Sequence, residues 1–269
     1  MEWQYISSKS NNLVVRISKL KDKKYRKAEG LFRFDGIKLF LEAVEKRVNI
    51  EYVFVMESAG ATVKGAVKES GVDLSKVYLL SDEAFAKLTD EQSPEGVVTV
   101  CAYLENVVST NDYRALADNV KGGTTLILES VRDAGNLGTI IRTAKAFSID
   151  NLIISSDCAD VYNPKTVRSA MGSLFRTRIT TVNDVASFIN AARENSRRVL
   201  AAELTDTALS LSDASLVSTD IVMIGNEGHG ISPEISAMCD RSVYIPISHK
   251  TESLNASVAA AIFMWEQSK

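Results

Sequence analysis

The sequence is poor in the residues that build metal centres and disulfide frameworks. Only three cysteines occur (Cys101, Cys158, Cys239) and only two histidines (His229, His249), with no Cys-x-x-Cys spacing. That scarcity argues against a disulfide scaffold and a Cys/His zinc site, and no metal is expected. Long apolar runs are missing too. The longest, residues 258–265, falls far short of the roughly 20 residues a membrane-crossing helix needs. The opening Met1-Glu2-Trp3-Gln4-Tyr5 has no apolar leader core. These absences give the expectation of a soluble, reduced, cytoplasmic protein with no membrane partner. Neither Gly-x-Gly-x-x-Gly nor Gly-x4-Gly-Lys-Ser/Thr occurs, which weakens any dinucleotide or P-loop assignment. There is no internal repeat and no low-complexity stretch. With 45% hydrophobic and 24% charged residues in a chain of 269, a disordered or fibrous protein is ruled out, and one large or two small domains fit.

An excess of positive charge is also missing. The formal net charge is -3, from 31 Lys/Arg against 34 Asp/Glu, and on its face that counts against a nucleic-acid binder. The distribution says otherwise. Residues 1–50 hold 12 basic and 6 acidic side chains, and residues 51–269 hold 19 and 28. The densest stretch is Lys19, Lys21, Lys23, Lys24, Arg26 and Lys27. It is open to two readings, a solvated helix or loop face and a phosphate-contacting patch.

Short β-type runs alternate with helical patterns along the whole chain. Strands are expected at 31–34, 52–56, 76–80 and 97–102, and helices at 37–46, 61–69 and 83–88, a small α/β unit over residues 1–104. The polar residues 105–122 are expected to be a linker, with room for a short helix. From 123 to 269 the alternation restarts, with strands at 125–128, 151–154, 178–181, 199–202, 221–224 and 242–245 and helices at 137–147, 185–195, 232–238 and 255–267. This rhythm favours a largely parallel sheet covered on both faces.

In such sheets ligands bind beyond the carboxyl ends of the strands, so the loops there matter most. After 125–128 comes Arg132-Asp133-Ala134-Gly135-Asn136-Leu137-Gly138-Thr139-Ile140-Ile141-Arg142. Leu137, Ile140, Ile141, Ala144 and Phe147 form an apolar stripe with Arg142 on the opposite face. Asn136 reads as a helix N-cap and Arg142 as a surface charge, or both stand at the mouth of a cleft that takes an anionic ligand. After 221–224 comes Gly225-Asn226-Glu227-Gly228-His229-Gly230, followed by Ser232 as a candidate N-cap and Pro233 at the first helical position. Glu227 among glycines is unusual for a plain turn. The third loop holds Ile245-Pro246 and Ser253-Leu254-Asn255, ahead of a helix that is apolar nearly all round.

Taken together, these three segments resemble the SpoU family of the SPOUT RNA methyltransferases. The family's Asn-x-Gly-x-x-x-Arg stands here as Asn136-Leu137-Gly138 to Arg142, its Gly-Asn-Glu-x-x-Gly as Gly225 to Gly230, and its Ile-Pro with Ser-Leu-Asn-x-Ser-x-Ala as Ile245-Pro246 with Ser253 to Ala259. Two positions depart from the pattern: Ala134 stands where proline is frequent and Ser148 where glycine is common. More loosely, Ser10-Asn11-Asn12, the basic run, residues 30–36 and residues 93–97 resemble the family's L30e-like substrate-binding domain.

The resemblance implies a homodimeric catalytic domain with a trefoil knot. It also implies transfer of a methyl group from S-adenosylmethionine to a ribose 2′-hydroxyl in RNA, ribosomal RNA being favoured. Two other readings are a transfer RNA 2′-O-methyltransferase and a non-enzymatic RNA-binding, ribosome-associated module. By the same resemblance, Asn136, Arg142, Glu227, Ser253 and Asn255 form the catalytic set. Leu204, Gly225, Asn226, Ile245 and Leu254 line the cofactor, and Lys23, Lys24, Arg26, Lys27 and Arg168 meet RNA.

Overall fold

The computed structural model describes residues 3–248 and 253–269. The stretch 249–252, with His249, belongs to the third motif loop and lies outside the described residues. The chain forms two compact units. One takes Met1–Leu104 with Tyr162–Phe175, the other Glu105–Val161 with Arg176–Lys269.

The first unit is built on five strands: β1 (Gln4–Ile6), β2 (Leu31–Asp35), β3 (Ile50–Met56), β4 (Val77–Leu80) and β5 (Val97–Ala102), ordered β1-β4-β3-β5-β2. β1, β4 and β3 run parallel, and β5 runs antiparallel to both β3 and β2. Four of the five strands are the expected ones. β1 is too short to show a period-2 pattern. Helices α1 (Asn12–Ser18), α2 (Lys23–Glu29), α3 (Ile37–Glu45), α4 (Ala61–Glu69) and α5 (Asp82–Phe85) complete its own stretch of chain. Asn11 caps α1 by accepting from the Leu13 amide at 2.9 Å, and Gly30 ends α2 at φ +63, a conformation that suits glycine. Val14, Ile17, Leu20, Phe54, Phe85 and Leu88 fill a core with Leu31 of β2. Successive β2 side chains alternate in direction, and Phe32 and Phe34 meet the rings of Tyr162 and Phe175, at 4.8 and 5.7 Å between centroids. This aromatic packing ties the later segment to the first unit.

The second unit carries β6 (Val107–Thr110), β7 (Thr125–Leu128), β8 (Asn151–Ser155), β9 (Ile179–Val182), β10 (Val199–Ala202), β11 (Leu209–Ser210), β12 (Ile221–Ile224) and β13 (Arg241–Tyr244). Their order is β11-β13-β10-β12-β7-β8-β9-β6, and every pairing is parallel. The remaining helices are α6 (Tyr113–Asn119), α7 (Ala134–Ala146), α8 (Pro164–Ala170, part of the first unit), α9 (Val185–Glu194), α10 (Pro233–Ser236) and α11 (Ala256–Gln267). A parallel sheet must be covered on both faces, and β7, β8 and β12 are buried throughout. On one side Leu116 of α6 and Phe188 and Ile189 of α9 close over Ile127, Ile153 and Met223. Elsewhere α7 and α11 lie alongside each other and run in the same direction. Asn136 bonds Asn255 near their starts, and Phe147 lies 5.6 Å from Trp265 near their ends. Leu137, Ile140 and Ile141 are fully buried, each contributing roughly 1.5–3 kcal/mol.

Residues 105–122 do not run as an open linker. Residues 107–110 pair with 179–182 as β6, and α6 starts from an Asp112 cap, its side chain accepting from the Ala115 amide at 3.0 Å. Four residues at a sheet edge, two of them polar, carry too little pattern to stand out. Ala134 is the first residue of α7, a position that accepts proline. Ser148 lies just beyond the Phe147 C-cap at φ +56, the left-handed geometry that makes glycine common there. Among the described residues no helix is long and apolar enough to cross a membrane.

Candidate active site

Three loops at the carboxyl edge of the second sheet are joined through Glu227 and Asn136. Glu227, after β12, accepts from the Arg132 amide at 3.1 Å with Oε2. Its Oε1 accepts from the Asp133 amide and from Nδ2 of Asn136, each at 3.0 Å. Asn136 in turn accepts at Oδ1 from Nδ2 of Asn255, at 2.9 Å. Oδ1 of Asn255 accepts from the amide of Ser257 at 2.9 Å and from its hydroxyl at 2.7 Å, capping α11. Each amide oxygen and nitrogen in this chain of bonds has its orientation set by its neighbour. Burial pushes the Glu227 carboxyl up, but the donors from Asn136, Asp133 and Arg132 outweigh it and hold the group below the usual carboxylate range. The first turn of α7 adds a favourable field for an anion.

Asn136 is not the helix cap. Asp133 takes that place, accepting from the Asn136 amide at 2.8 Å, and this frees the Asn136 carboxamide to link Glu227 with Asn255. Asn255, by contrast, is both a cap and a member of the network. Ser232 holds the expected N-cap position of α10 with Pro233 at the first helical position, yet its side chain makes no cap bond there. Its amide and hydroxyl instead donate to Glu129, at 2.9 and 2.5 Å.

The loop after β12 is shaped by Gly225 and Asn226. A Cβ on Gly225 would lie 2.2 Å from the Gly230 carbonyl carbon and 2.3 Å from the Ile231 nitrogen, so no side chain fits. Asn226 and Gly230 exchange backbone bonds of 2.9 and 3.0 Å. The Asn226 carboxamide accepts from the Gly228 amide and donates to the Ser130 carbonyl, at 2.8 and 2.7 Å, so its side chain is committed to the loop itself. Glu129 and Glu203 were missed in the sequence. Buried Glu129 joins the ends of β7 and β12 through Ser232. Glu203 accepts from the hydroxyls of Ser236 and Ser242, at 2.5 and 2.7 Å, tying the end of β10 to α10 and β13. Each is a lone acid directly after an apolar strand, which is the signal that points to them.

The other expected residues are more dispersed. Arg142 lies six residues beyond Asn136, about 9 Å along the helix. It is exposed and makes no hydrogen bond or ion pair among the described residues. Ser253 is exposed without such a bond as well. Leu204 is 76% exposed, while Ile245 and Leu254 are half-buried. In the first unit Lys23, Lys24 and Lys27 are exposed on α2. Arg26 is buried at 2% exposure, its Nη1 donating to the Leu20 carbonyl at 2.7 Å and to the Lys21 carbonyl at 2.6 Å, so it holds the turn before α2 and does not face solvent. Arg168 is paired with Glu91.

The carboxyl-edge loops of a parallel α/β sheet thus converge on one Asn–Glu–Asn network, at the edge where ligands of such sheets bind. The SpoU rRNA Methylase family model matches residues 123–265, and the chain belongs to that family. An MRM3-like substrate binding domain model matches residues 11–99. The 23S rRNA (guanosine(2553)-2′-O)-methyltransferase RlmP of Bacillus subtilis strain 168 is 29% identical over 97% of both chains. The 23S rRNA (uridine(2479)-2′-O)-methyltransferase of Streptomyces viridochromogenes is 34% identical over 49% of this chain and 47% of its own. Among solved structures, the AdoMet-bound rRNA methyltransferase from Sinorhizobium meliloti superposes with a TM-score of 0.82 at 26% identity, covering 98% of this chain and 96% of that one.

Proposed function

We propose that this protein methylates a ribose 2′-hydroxyl of ribosomal RNA, with S-adenosylmethionine as donor and its first unit, an L30e-like domain, holding the RNA. The observation that carries this reading is the Glu227–Asn136–Asn255 network, which joins three separate loops in fixed orientation on the helix that bears the unpaired Arg142. The apolar side chains of Leu204, Ile245 and Leu254 suit the flat, weakly polar face of an adenine, and they stand on the loops after β10 and β13. Gly225 keeps the neighbouring backbone close enough for main-chain contact with that base. When bound, S-adenosylmethionine supplies a methyl group on a sulfonium, so positive charge is lost as transfer proceeds.

The chain's own residues then have distinct tasks. Arg142 clamps an RNA phosphate beside the reacting ribose and orients the hydroxyl. A guanidinium carries its full complement of protons and has no lone pair to offer, so it donates hydrogen bonds here and does not take the hydroxyl proton. Glu227 is held anionic and accepts from three donors, so it positions Asn136 and the start of α7. As the methyl–sulfur bond breaks and the methyl–oxygen bond forms, the hydroxyl proton would pass to water or to a phosphate of the RNA. Holding the hydroxyl and the methyl donor in line contributes to rate by removing the entropy cost of their encounter.

The wider assembly follows the same reading. Val258 and Trp265 on α11 are 47% and 53% exposed, with Ile262 half-buried between them, and this apolar face supports a homodimer. β13 lies beside β10, whereas α11 packs against α7 and β12. That separation of α11 from the strand before it supports a trefoil knot, a rarity among folds. Work on ribosomal RNA fits the cytoplasm. Labelled methyl transfer into ribosomal RNA but not transfer RNA is the expected result. Absence of calorimetric binding to S-adenosylmethionine would overturn the assignment in favour of a non-enzymatic RNA-binding module.

A further inference from the structure

The second unit is acidic overall, with 13 Lys/Arg against 19 Asp/Glu. Six of its twelve described basic side chains are spoken for. Arg114, Arg132, Arg193, Arg198 and Lys269 are in ion pairs, and Arg197 is buried among backbone carbonyls. The described basic residues of this unit without an ion pair or hydrogen bond are Lys121, Arg142, Lys145, Arg176, Arg178 and Arg241. Three of these six, Lys145, Arg176 and Arg178, line a single cleft of about 560 Å³, and Lys121 directly precedes its Gly122-Gly123 wall. Like charges do not gather in an acidic unit without an electrostatic cost, so the clustering points to an anion that offsets it.

The cleft's position narrows the choice. Gly123, Asp150 and Arg178 sit directly ahead of β7, β8 and β9, so the cleft opens at the amino edge of the sheet. The Asn136 network is at the carboxyl edge, about 13 Å away along four-residue strands. The cleft therefore cannot touch the reacting ribose, and its walls are not those of the methyl-transfer site. Its one acidic wall residue, Asp150, is committed to Thr124, accepting from the amide at 2.9 Å and the hydroxyl at 3.0 Å. The lining is mostly polar, and Lys145, Arg176 and Arg178 are all exposed to solvent. Such a surface suits a chain of phosphodiesters better than a single small ligand.

We infer that Lys145, Arg176 and Arg178 form a second RNA-backbone contact on the catalytic unit, a sequence-independent phosphate cleft remote from the methylated nucleotide. The inference rests on the RNA substrate proposed above, and a binding assay that needs no methyl transfer tests it. The full-length protein is titrated into a fluorescein-labelled RNA hairpin by anisotropy over a salt series, together with the K145A/R176A/R178A variant. Loss of three phosphate contacts lowers the slope of log affinity against log salt by about 2 to 3, and affinity at low salt falls at least tenfold. The R176K/R178K variant keeps the wild-type slope, because lysine also neutralises a phosphate. Circular dichroism and S-adenosylmethionine calorimetry on each variant report on the fold and the distant site, and both stay at wild-type values. An alanine variant that matches the wild type in affinity and slope overturns the inference. A wild-type protein that binds RNA through this cleft but binds no S-adenosylmethionine leaves the inference standing and overturns the methyltransferase assignment instead.

Discussion

Asn136 and Asn255 stand 119 residues apart and share a hydrogen bond of 2.9 Å from Nδ2 of Asn255 to Oδ1 of Asn136. That bond holds the start of α11 against the first turn of α7, and Glu227 takes the other end of the Asn136 carboxamide. Asn136→Ala removes both contacts at once. Glu227 keeps its two backbone donors, so the loss of stability is about 1 kcal/mol, while methyl transfer falls roughly 10- to 100-fold through lost orientation. Single-turnover transfer rates beside urea melts separate the two effects. A rate within twofold of wild type would remove Asn136 from the site.

Arg142 is the opposite case, an exposed side chain with no partner among the described residues. Its removal leaves nothing buried unsatisfied. Arg142→Ala keeps stability within about 0.5 kcal/mol of wild type while abolishing transfer, and Arg142→Lys restores only part of it, because an ammonium lacks the paired donors of a guanidinium. Wild-type kinetics in the alanine variant would show that this cation takes no part.

Glu227 carries a pH signature. Its carboxyl is depressed in the folded protein, so the unfolded chain takes up the proton first as pH falls. The stabilising contribution is complete above the unfolded value of about 4.3 and is lost as pH drops through the lower folded value. Glu227→Gln flattens this part of the acid-unfolding profile. Denaturant midpoints measured from neutral pH down into that range, wild type against variant, read it directly. Parallel curves would mean the carboxylate is not held as the geometry requires.

The basic stretch of the first unit divides by burial. Lys23→Ala, Lys24→Ala and Lys27→Ala together weaken RNA binding at low salt and reduce its salt dependence. Arg26→Ala unfolds the turn before α2 instead, because the Leu20 and Lys21 carbonyls lose their donor. The triple variant is expected to melt like wild type and the Arg26 variant several degrees lower. If RNA affinity in the triple variant is unchanged, α2 presents only a solvated face.

Ala134 offers a stabilising substitution. It opens α7, and the preceding Asp133 has an extended backbone at φ -77 and ψ 121, compatible with a following proline. Ala134→Pro raises stability by about 0.4–1 kcal/mol by restricting the unfolded chain, without disturbing the Asp133 and Arg132 amides that serve Glu227. A lower unfolding midpoint would contradict this account of the helix start.

Sequence alone determined the alternation of strands and helices, since buried parallel strands and one-sided helices leave strong apolar patterns, and it brought out the three motif segments by residue type and spacing. What it could not determine follows from their weaker signals. β1, β6 and β11 are short edge strands set by pairing with a distant partner. Residues 162–175 join the first unit through aromatic contacts with Phe32 and Phe34 that no local pattern records. Tertiary structure alone decided that Asp133 caps α7, that Arg26 is buried while its lysine neighbours are not, and that Glu129 and Glu203 tie strand ends together. The physical reason is the same throughout. Periodicity reports how one segment meets the core, whereas a hydrogen bond between side chains far apart in sequence depends on where the whole chain has brought them.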